Sequence, residues 1–201
     1  AMIGDYDGIS AGAYGYAMDP NTPNPGNEFG LVATQLLDSP RATVPVDLDN
    51  DGTIDIVATD HAPHTSEEKE IGWQDGWKAH TGTPSTQFYI SMLLTAALEG
   101  KISLERVVDA VATNPANIFG VQNKGDIVPG NHADIVLVDL ENEYEIKDED
   151  VLSLTGWTPY AGRRLRGKTI LTLLRGKPVY KDGKVVGEKG YGVQAIARQT
   201  T

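Results

Sequence analysis

An α/β fold that turns β-rich toward its carboxyl end is predicted by three observations. The first is Ile54 to Ala58, a short apolar run rich in β-branched residues. It lies between Asp51-Gly52 and a polar cluster, the pattern of a strand buried on both faces. The second is a set of helix signals between Thr86 and Gly120. The third is a change after Lys124 to strand-like runs separated by turn-forming residues.

In chain order, residues 1–46 are rich in Gly, Asp and Tyr. Here "MDPNTPNPGNEFG" reads as successive turns, and only "GLVATQLL" offers a short apolar element, so the pattern assigns this segment to no domain. Residues 47–122 alternate strand and helix. The stretch "TQFYISMLLTAALE", Thr86 to Glu99, is apolar over much of its surface and stops at Gly100, which predicts a mostly buried helix. Ser103 can cap a second helix over "SLERVVDAVAT", and Asn114-Pro115 opens a third that stops at Gly120. Residues 123–201 read as a small β-rich domain. Its strands are "ADIVLVDL" (Ala133 to Leu140) and "TILTLLRG" (Thr169 to Gly176), followed by a hairpin, "PVYKDGKVVG", around Asp182-Gly183. Between the strands, "KDEDVLSL" supports one helical turn or two.

Composition narrows the function. The 201 residues suffice for one large domain or two small ones. Cysteine is absent, which excludes disulfides, thiolate metal sites and cysteine nucleophiles and fits a reducing compartment. Any metal must then be held by His, Asp, Glu or a modified lysine. Asp and Glu number 28 against 17 Lys and Arg, a net charge of −11. The basic residues are scattered except for "RRLRGK", Arg163 to Lys168, which reads as a solvated approach to a strand. That balance argues against a nucleic-acid partner. Apolar runs fall short of the roughly 18 to 20 residues a membrane helix needs, and the amino terminus lacks a basic-then-apolar leader pattern. The expectation is a soluble cytoplasmic protein with no membrane partner.

The most informative stretch is "TIDIVATDHAPHTSEEKE", Thr53 to Glu70. If Ile54 to Ala58 is a parallel strand, Asp60 emerges at its carboxyl end, where α/β barrels and open α/β sheets place their chemistry. An aspartate there can ligate a metal or take a proton from a metal-bound water. Pro63 stiffens the turn, and His64 can point back over the same mouth as a donor to an anion or as an acid/base. A plainer description also fits: a helix N-cap with two hydrogen-bonded histidines. Trp73, Trp77 and Trp157 can line a cleft, although packing suits at least two of them better. The loop "GWQDGWKAHTGTPSTQ" can serve as a lid.

"VATDHAPHTSEEKE" resembles the signature near the end of the barrel in dihydroorotases, cyclic-amide hydrolases of the amidohydrolase superfamily. The likeness continues in order through "SLERVVDAVATNPANIFG", "KGDIVPGNHADIVLVDL" and "LRGKTILTLLRGKPVYKDGKVVG", covering about Gly52 to Gly187. The resemblance implies the C-terminal part of a (β/α)8 TIM-like barrel plus a small β-rich domain. Residues 47–122 would be the last strand and helices of the barrel, and 123–201 the small domain. It implies a small-molecule cyclic amide as substrate, dihydroorotate interconverted with carbamoyl aspartate in pyrimidine biosynthesis. Allantoinases and hydantoinases share much of the pattern and stay open as alternatives. By the same resemblance Asp60 meets the metal and acts as general base, and His64 helps bind the substrate carboxylate. Gly82 falls in the segment His80 to Gln87 whose backbone meets the substrate ring. His61 would be a structural or supporting residue and His132 an ordinary surface histidine.

The sequence departs from the family in its metal ligands. The resemblance implies zinc, two ions in the complete site, held by a His-x-His pair, a carboxylated lysine or an aspartate, and two further histidines. The four histidines here are His61, His64, His80 and His132; none precedes Asp60, and no His-x-His occurs. One aspartate does not hold a catalytic zinc, which takes about three protein ligands. The expectation is therefore a piece of a dihydroorotase-like enzyme, or a shortened relative, whose site is completed by a homo-oligomer or a complementing chain. Alone it would expose the apolar sides of strand 54–58 and helix 86–99. A rival reading comes from "DLDNDGTID", Asp47 to Asp55, with aspartates at positions 1, 3, 5 and 9 and Gly at 6. It resembles the calcium loops of FG-GAP propeller repeats and would make the chain a non-catalytic calcium-binding or interaction module. Position 12 is Ala58, where such a loop requires an acid.

Overall fold

The structure, a computed structural model, describes residues 44–46, 55–80 and 82–195. Most of the first 46 residues and the loop Asp47–Ile54 lie outside them, and with these the unassigned amino-terminal segment and nearly all of the candidate calcium loop.

The first strand pair is β1 (Val44–Val46) and β2 (Ile56–Ala58), which are antiparallel with Pro45 opposite Val57. A parallel strand covered on both faces was the expectation. The described pairing is instead antiparallel, and only Val57 of β2 is buried while Ala58 is exposed. The direction of the chain is still the useful one, because β2 delivers Asp60 just beyond its carboxyl end.

Helix α1 (Ser66–Glu70) is only five residues long and buries none of them. It forms because Thr65 and Glu68 make a capping box. The Thr65 hydroxyl accepts from the Glu68 amide at 3.2 Å, and the Glu68 carboxylate accepts from the Thr65 amide at 2.9 Å. Two short 3-10 turns follow, Ile71–Trp73 and Gly76–Lys78. Both tryptophans here are solvent-exposed, Trp73 at 92% and Trp77 at 90%. The expectation that at least two of the three tryptophans pack is thereby corrected, since these turns have no opposing apolar element among the described residues.

Helix α2 (Tyr89–Leu98) is the axle of the molecule. Its Leu, Met and Ala residues favour helix, and Gly100 at φ +74° follows its end. Six successive residues, Ser91 to Ala96, are buried. Leu93, Leu94 and Ala96 pack with Val57, Ile102, Val107 and Ala110, while Met92 packs with Phe88, Ile146, Tyr160 and Leu165. The helix thus carries both cores, and the expected exposure of its apolar side does not occur. Burying each large side chain contributes about 1.5–3 kcal/mol.

Ser103 caps α3 (Leu104–Val108) by accepting from the Arg106 amide at 3.1 Å. Two separate helices were expected from here to Gly120. The chain instead runs on through a π turn, Asp109–Thr113, into α4 (Asn114–Ile118). Pro115 has no N–H for an ordinary helical bond, so the wider turn, closed by the Asn114 amide on the Asp109 carbonyl, absorbs it.

A four-stranded antiparallel sheet completes the fold in the order β3 (Ile135–Glu145), β4 (Arg164–Leu174), β5 (Lys177–Lys181) and β6 (Lys184–Val185). Strands β3 and β4 are each longer than their apolar runs suggest. The basic run is part of β4 itself, with Leu165 buried between Arg164 and Arg166. Opposite it, β3 bulges between Asp139 and Glu143 because the Asp139 carboxylate accepts from the Glu141 and Asn142 amides at 3.0 and 3.2 Å. The hairpin turns carry positive φ at Arg175-Gly176 and Asp182-Gly183. The segment between β3 and β4 holds one 3-10 turn, Asp148–Asp150. Gly167 lets β4 approach α2: a Cβ there would stand 2.8 Å from the Leu94 Cβ. The buried Ser91 hydroxyl donates to the Gly167 carbonyl at 2.8 Å, and Thr95 exchanges bonds with the Arg166 carbonyl and amide.

Candidate active site

Beyond β2 the chain is stitched to the segment after His80. His61 makes a parallel bridge with Thr83, and the Ala62 amide donates to the Thr83 carbonyl at 3.2 Å. The His61 Nδ1 accepts from the Ser85 amide at 3.0 Å and the Thr86 amide at 3.3 Å, which assigns its proton to Nε2. The buried Ser85 hydroxyl donates to the Thr59 carbonyl at 2.8 Å. His61 is therefore a structural residue that ties down the loop carrying Asp60. Asp60 itself is exposed and sits at φ +47°, a conformation an aspartate adopts at a cost and one that recurs at functional positions.

Four residues on, His64 Nδ1 donates to the Glu68 carboxylate at 3.3 Å, whereas the same ring nitrogen of His61 is an acceptor. The Thr65 amide, with lesser help from His64 and His80 and against a burial effect, holds the Glu68 carboxyl below its ordinary value. The His64 ring lies on the His80 ring, centroids 4.6 Å apart at 33°. Of the plainer sequence description the two hydrogen-bonded histidines are present, while the helix cap is Thr65, just beyond the Asp60–His64 motif.

Gly82 is explained by a close approach. A Cβ there would fall 2.2 Å from the Ala62 carbonyl oxygen, so only glycine lets the chain at position 82 lie against Ala62. Lys69 donates to the carbonyls of His80 and Gly82 at 2.7 and 2.8 Å. Its ammonium also lies 5.6 Å from the centre of the Trp157 ring. Trp157, from the segment between β3 and β4, donates its indole N–H to the His64 carbonyl at 2.8 Å. Beside this network, Ser66, Lys69, Trp73, His80, Thr83 and Trp157 line an open depression of about 690 Å³.

Asp60, His64 and Gly82 thus lie along one connected stretch of loops, while His132 is exposed and far along the chain, its amide donating to the Asn123 carbonyl at 2.9 Å. Lys69 and Trp157 were not singled out as partners by sequence reasoning. Lys69 reads as an ordinary solvated residue of "SEEKE", and the 93 positions separating Trp157 from the His64 carbonyl carry no local signal. As to a metal, no group of three or more His, Asp or Glu side chains suited to an ion is present among the described residues. Asp60 is a chemically suitable ligand, but the described residues do not form a metal centre by themselves.

An exposed aspartate in the left-handed region thus stands two residues beyond β2, followed by a histidine-bearing loop. The chain belongs to the amidohydrolase family, whose pattern it matches over residues 25–185, a span that begins inside the segment unassigned from sequence and runs through the Asp47–Asp55 loop. That family has an α/β, TIM-barrel-like fold and is generally metal-dependent. The chain is similar to a dihydroorotase of Halobacterium salinarum, 42% identical over 158 residues, which make up 79% of this chain and 36% of the relative. It is also similar to a dihydroorotase of Pyrococcus abyssi, 42% identical over 70% of this chain and 32% of the relative. Among solved structures, an L-hydantoinase (dihydropyrimidinase) from Arthrobacter aurescens matches with a TM-score of 0.67 and 31% identity, over 83% of this chain and 34% of that one. The chain spans about a third of the length of the curated relatives it matches.

Proposed function

We propose that this chain supplies the carboxyl-terminal part of a dihydroorotase-type enzyme that hydrolyses a cyclic amide, interconverting dihydroorotate and carbamoyl aspartate. The observation that supports it best is Asp60, exposed and left-handed just past a strand end, on a loop pinned by His61. In this reading Asp60 is a metal ligand and the general base that takes the proton of the attacking water and returns it to the leaving nitrogen. His64 donates to the substrate carboxylate, and the backbone around Gly82 meets the ring. Residues 47–122 are the end of the barrel and 123–201 its β-rich companion. Two zinc ions complete the site with ligands from outside the described residues, contributed in one assembly by further chain, a second copy or a complementing partner. Pyrimidine biosynthesis in the cytoplasm is the setting this chemistry suits. No helix among the described residues is long and apolar enough to cross a membrane.

A hydantoinase-type specificity is the second reading, favoured by the likeness to the L-hydantoinase structure. Both are tested by assaying the assembly that contains this chain on dihydroorotate, carbamoyl aspartate and hydantoin in parallel. Turnover confined to the first two supports the dihydroorotase reading, turnover confined to hydantoin replaces it, and full activity in Asp60→Asn overturns both.

A further inference from the structure

We propose that Lys69 and Trp157 are positioning residues, a brace that sets the His64 loop and the Gly82 segment at one fixed spacing. The inference rests on the cyclic-amide reading, because the two segments it joins carry the proposed substrate contacts. Lys69 leaves an exposed, five-residue helix, where a lysine ordinarily extends into water. Here its ammonium is shared between the His80 and Gly82 carbonyls, at 2.7 and 2.8 Å. Among the described residues, the strand-like pairing next to these carbonyls is the single His61–Thr83 bridge. The same ammonium faces the Trp157 ring, and the indole N–H holds the His64 carbonyl at 2.8 Å. The His64 and His80 rings then meet at 4.6 Å and close the circuit. Three stretches, residues 64–69, the His80 and Gly82 carbonyls, and Trp157, are thereby locked to one another, and the Lys69 and Trp157 side chains need not touch substrate to do it. The Trp157 indole has one donor, so Trp157→Phe removes the link to His64 while keeping the ring under Lys69.

The brace predicts a rise in KM with kcat retained, because Asp60 is held separately through His61 and Ser85. In the active assembly, Lys69→Met keeps the length of the stem and loses both charged bonds. Its KM for dihydroorotate should rise about tenfold, from the loss of bonds to a charged donor. Trp157→Phe should move KM in the same direction by less, and Lys69→Arg should recover most of the loss. Exchange of the Ala62 amide hydrogen, which bonds the Thr83 carbonyl, should speed up in Lys69→Met without substrate present. Leu165→Ala, in the core beneath α2, serves as the destabilised control, lowering Tm while leaving KM in place. An unchanged KM in Lys69→Met, unaltered exchange at Ala62, or an equal KM rise in Leu165→Ala overturns the brace. Turnover that survives Asp60→Asn overturns the cyclic-amide reading instead, and the exchange measurement still judges the brace by itself.

Discussion

The edge that carries Asp60 and the sheet that follows it are held by different forces. Among the described residues from Thr59 to Gln87 there is one five-residue α-helix and isolated turns, and apart from the Ala62–Thr83 backbone bond the fixed points are side chains bonded to backbone: His61 to Ser85 and Thr86, Ser85 to Thr59, Lys69 to His80 and Gly82. From Ile135 to Val185 regular ladders of backbone bonds run along four strands, and α2 seals the sheet with apolar side chains. Each of these bonds is specific to one residue, so single changes at the candidate site edge are expected to act on function while barely altering stability. The core behaves in the opposite way.

The sharpest break in this comparison is expected at Asp60. Asp60→Asn keeps a residue tolerant of positive φ and should reduce turnover about 10²–10⁴-fold while leaving the thermal transition close to wild type. Steady-state rates and a melting curve check it, and a matching loss of stability would show that Asp60 is structural. The converse change is Leu93→Ala, which empties a fully packed site and should cost about 2–5 kcal/mol in denaturant unfolding. A cost well under 1 kcal/mol would mean that α2 does not carry the core.

Smaller effects sharpen the contrast. Gly82→Ala forces a Cβ against the Ala62 carbonyl and should cost about 1–3 kcal/mol of strain relieved by local movement. Its signature is a higher KM, and a wild-type KM would remove Gly82 from the binding edge. Thr65→Ala should lose about 1 kcal/mol by removing the cap of α1, read as faster amide exchange at Glu68; unchanged exchange would show that the cap is idle. The last effect is in pH. Glu68 is held below its ordinary value of 4.5, so its contribution is fully present above that pH and is lost as pH falls through the lowered value. Helix α1 should therefore fray only in acid, and fraying on raising the pH from 5 to 7 would contradict this assignment. Tyr160, between β3 and β4, is pushed up to about 12 by burial although Arg163 opposes it, and should stay neutral through that whole range.

How much of this was legible in the sequence follows the same division. Local signals recovered the local events: Gly100 ending α2, Ser103 capping α3, Asp182-Gly183 turning the last hairpin, and the aspartate placed just after β2. Each depends on neighbours within a few residues, through φ preference or a side chain bonding its own backbone. Residue type and position after a strand left Asp60 and His64 open between a structural and a chemical role, and it was the resemblance of the motif and the stretches after it to dihydroorotases that nominated them.

Tertiary structure decided what depends on distant partners. The burial of α2 on both cores, the exposure of Trp73 and Trp77 and the antiparallel pairing of β2 are set by which surfaces meet, and an apolar run does not name its cover. The π turn before Pro115 keeps two expected helices as one run because the packed flanks on either side hold it in line. Lys69 and Trp157 reach the site edge only after the chain has folded, since a lysine stem and an indole N–H find carbonyls by proximity in space, which sequence spacing does not encode.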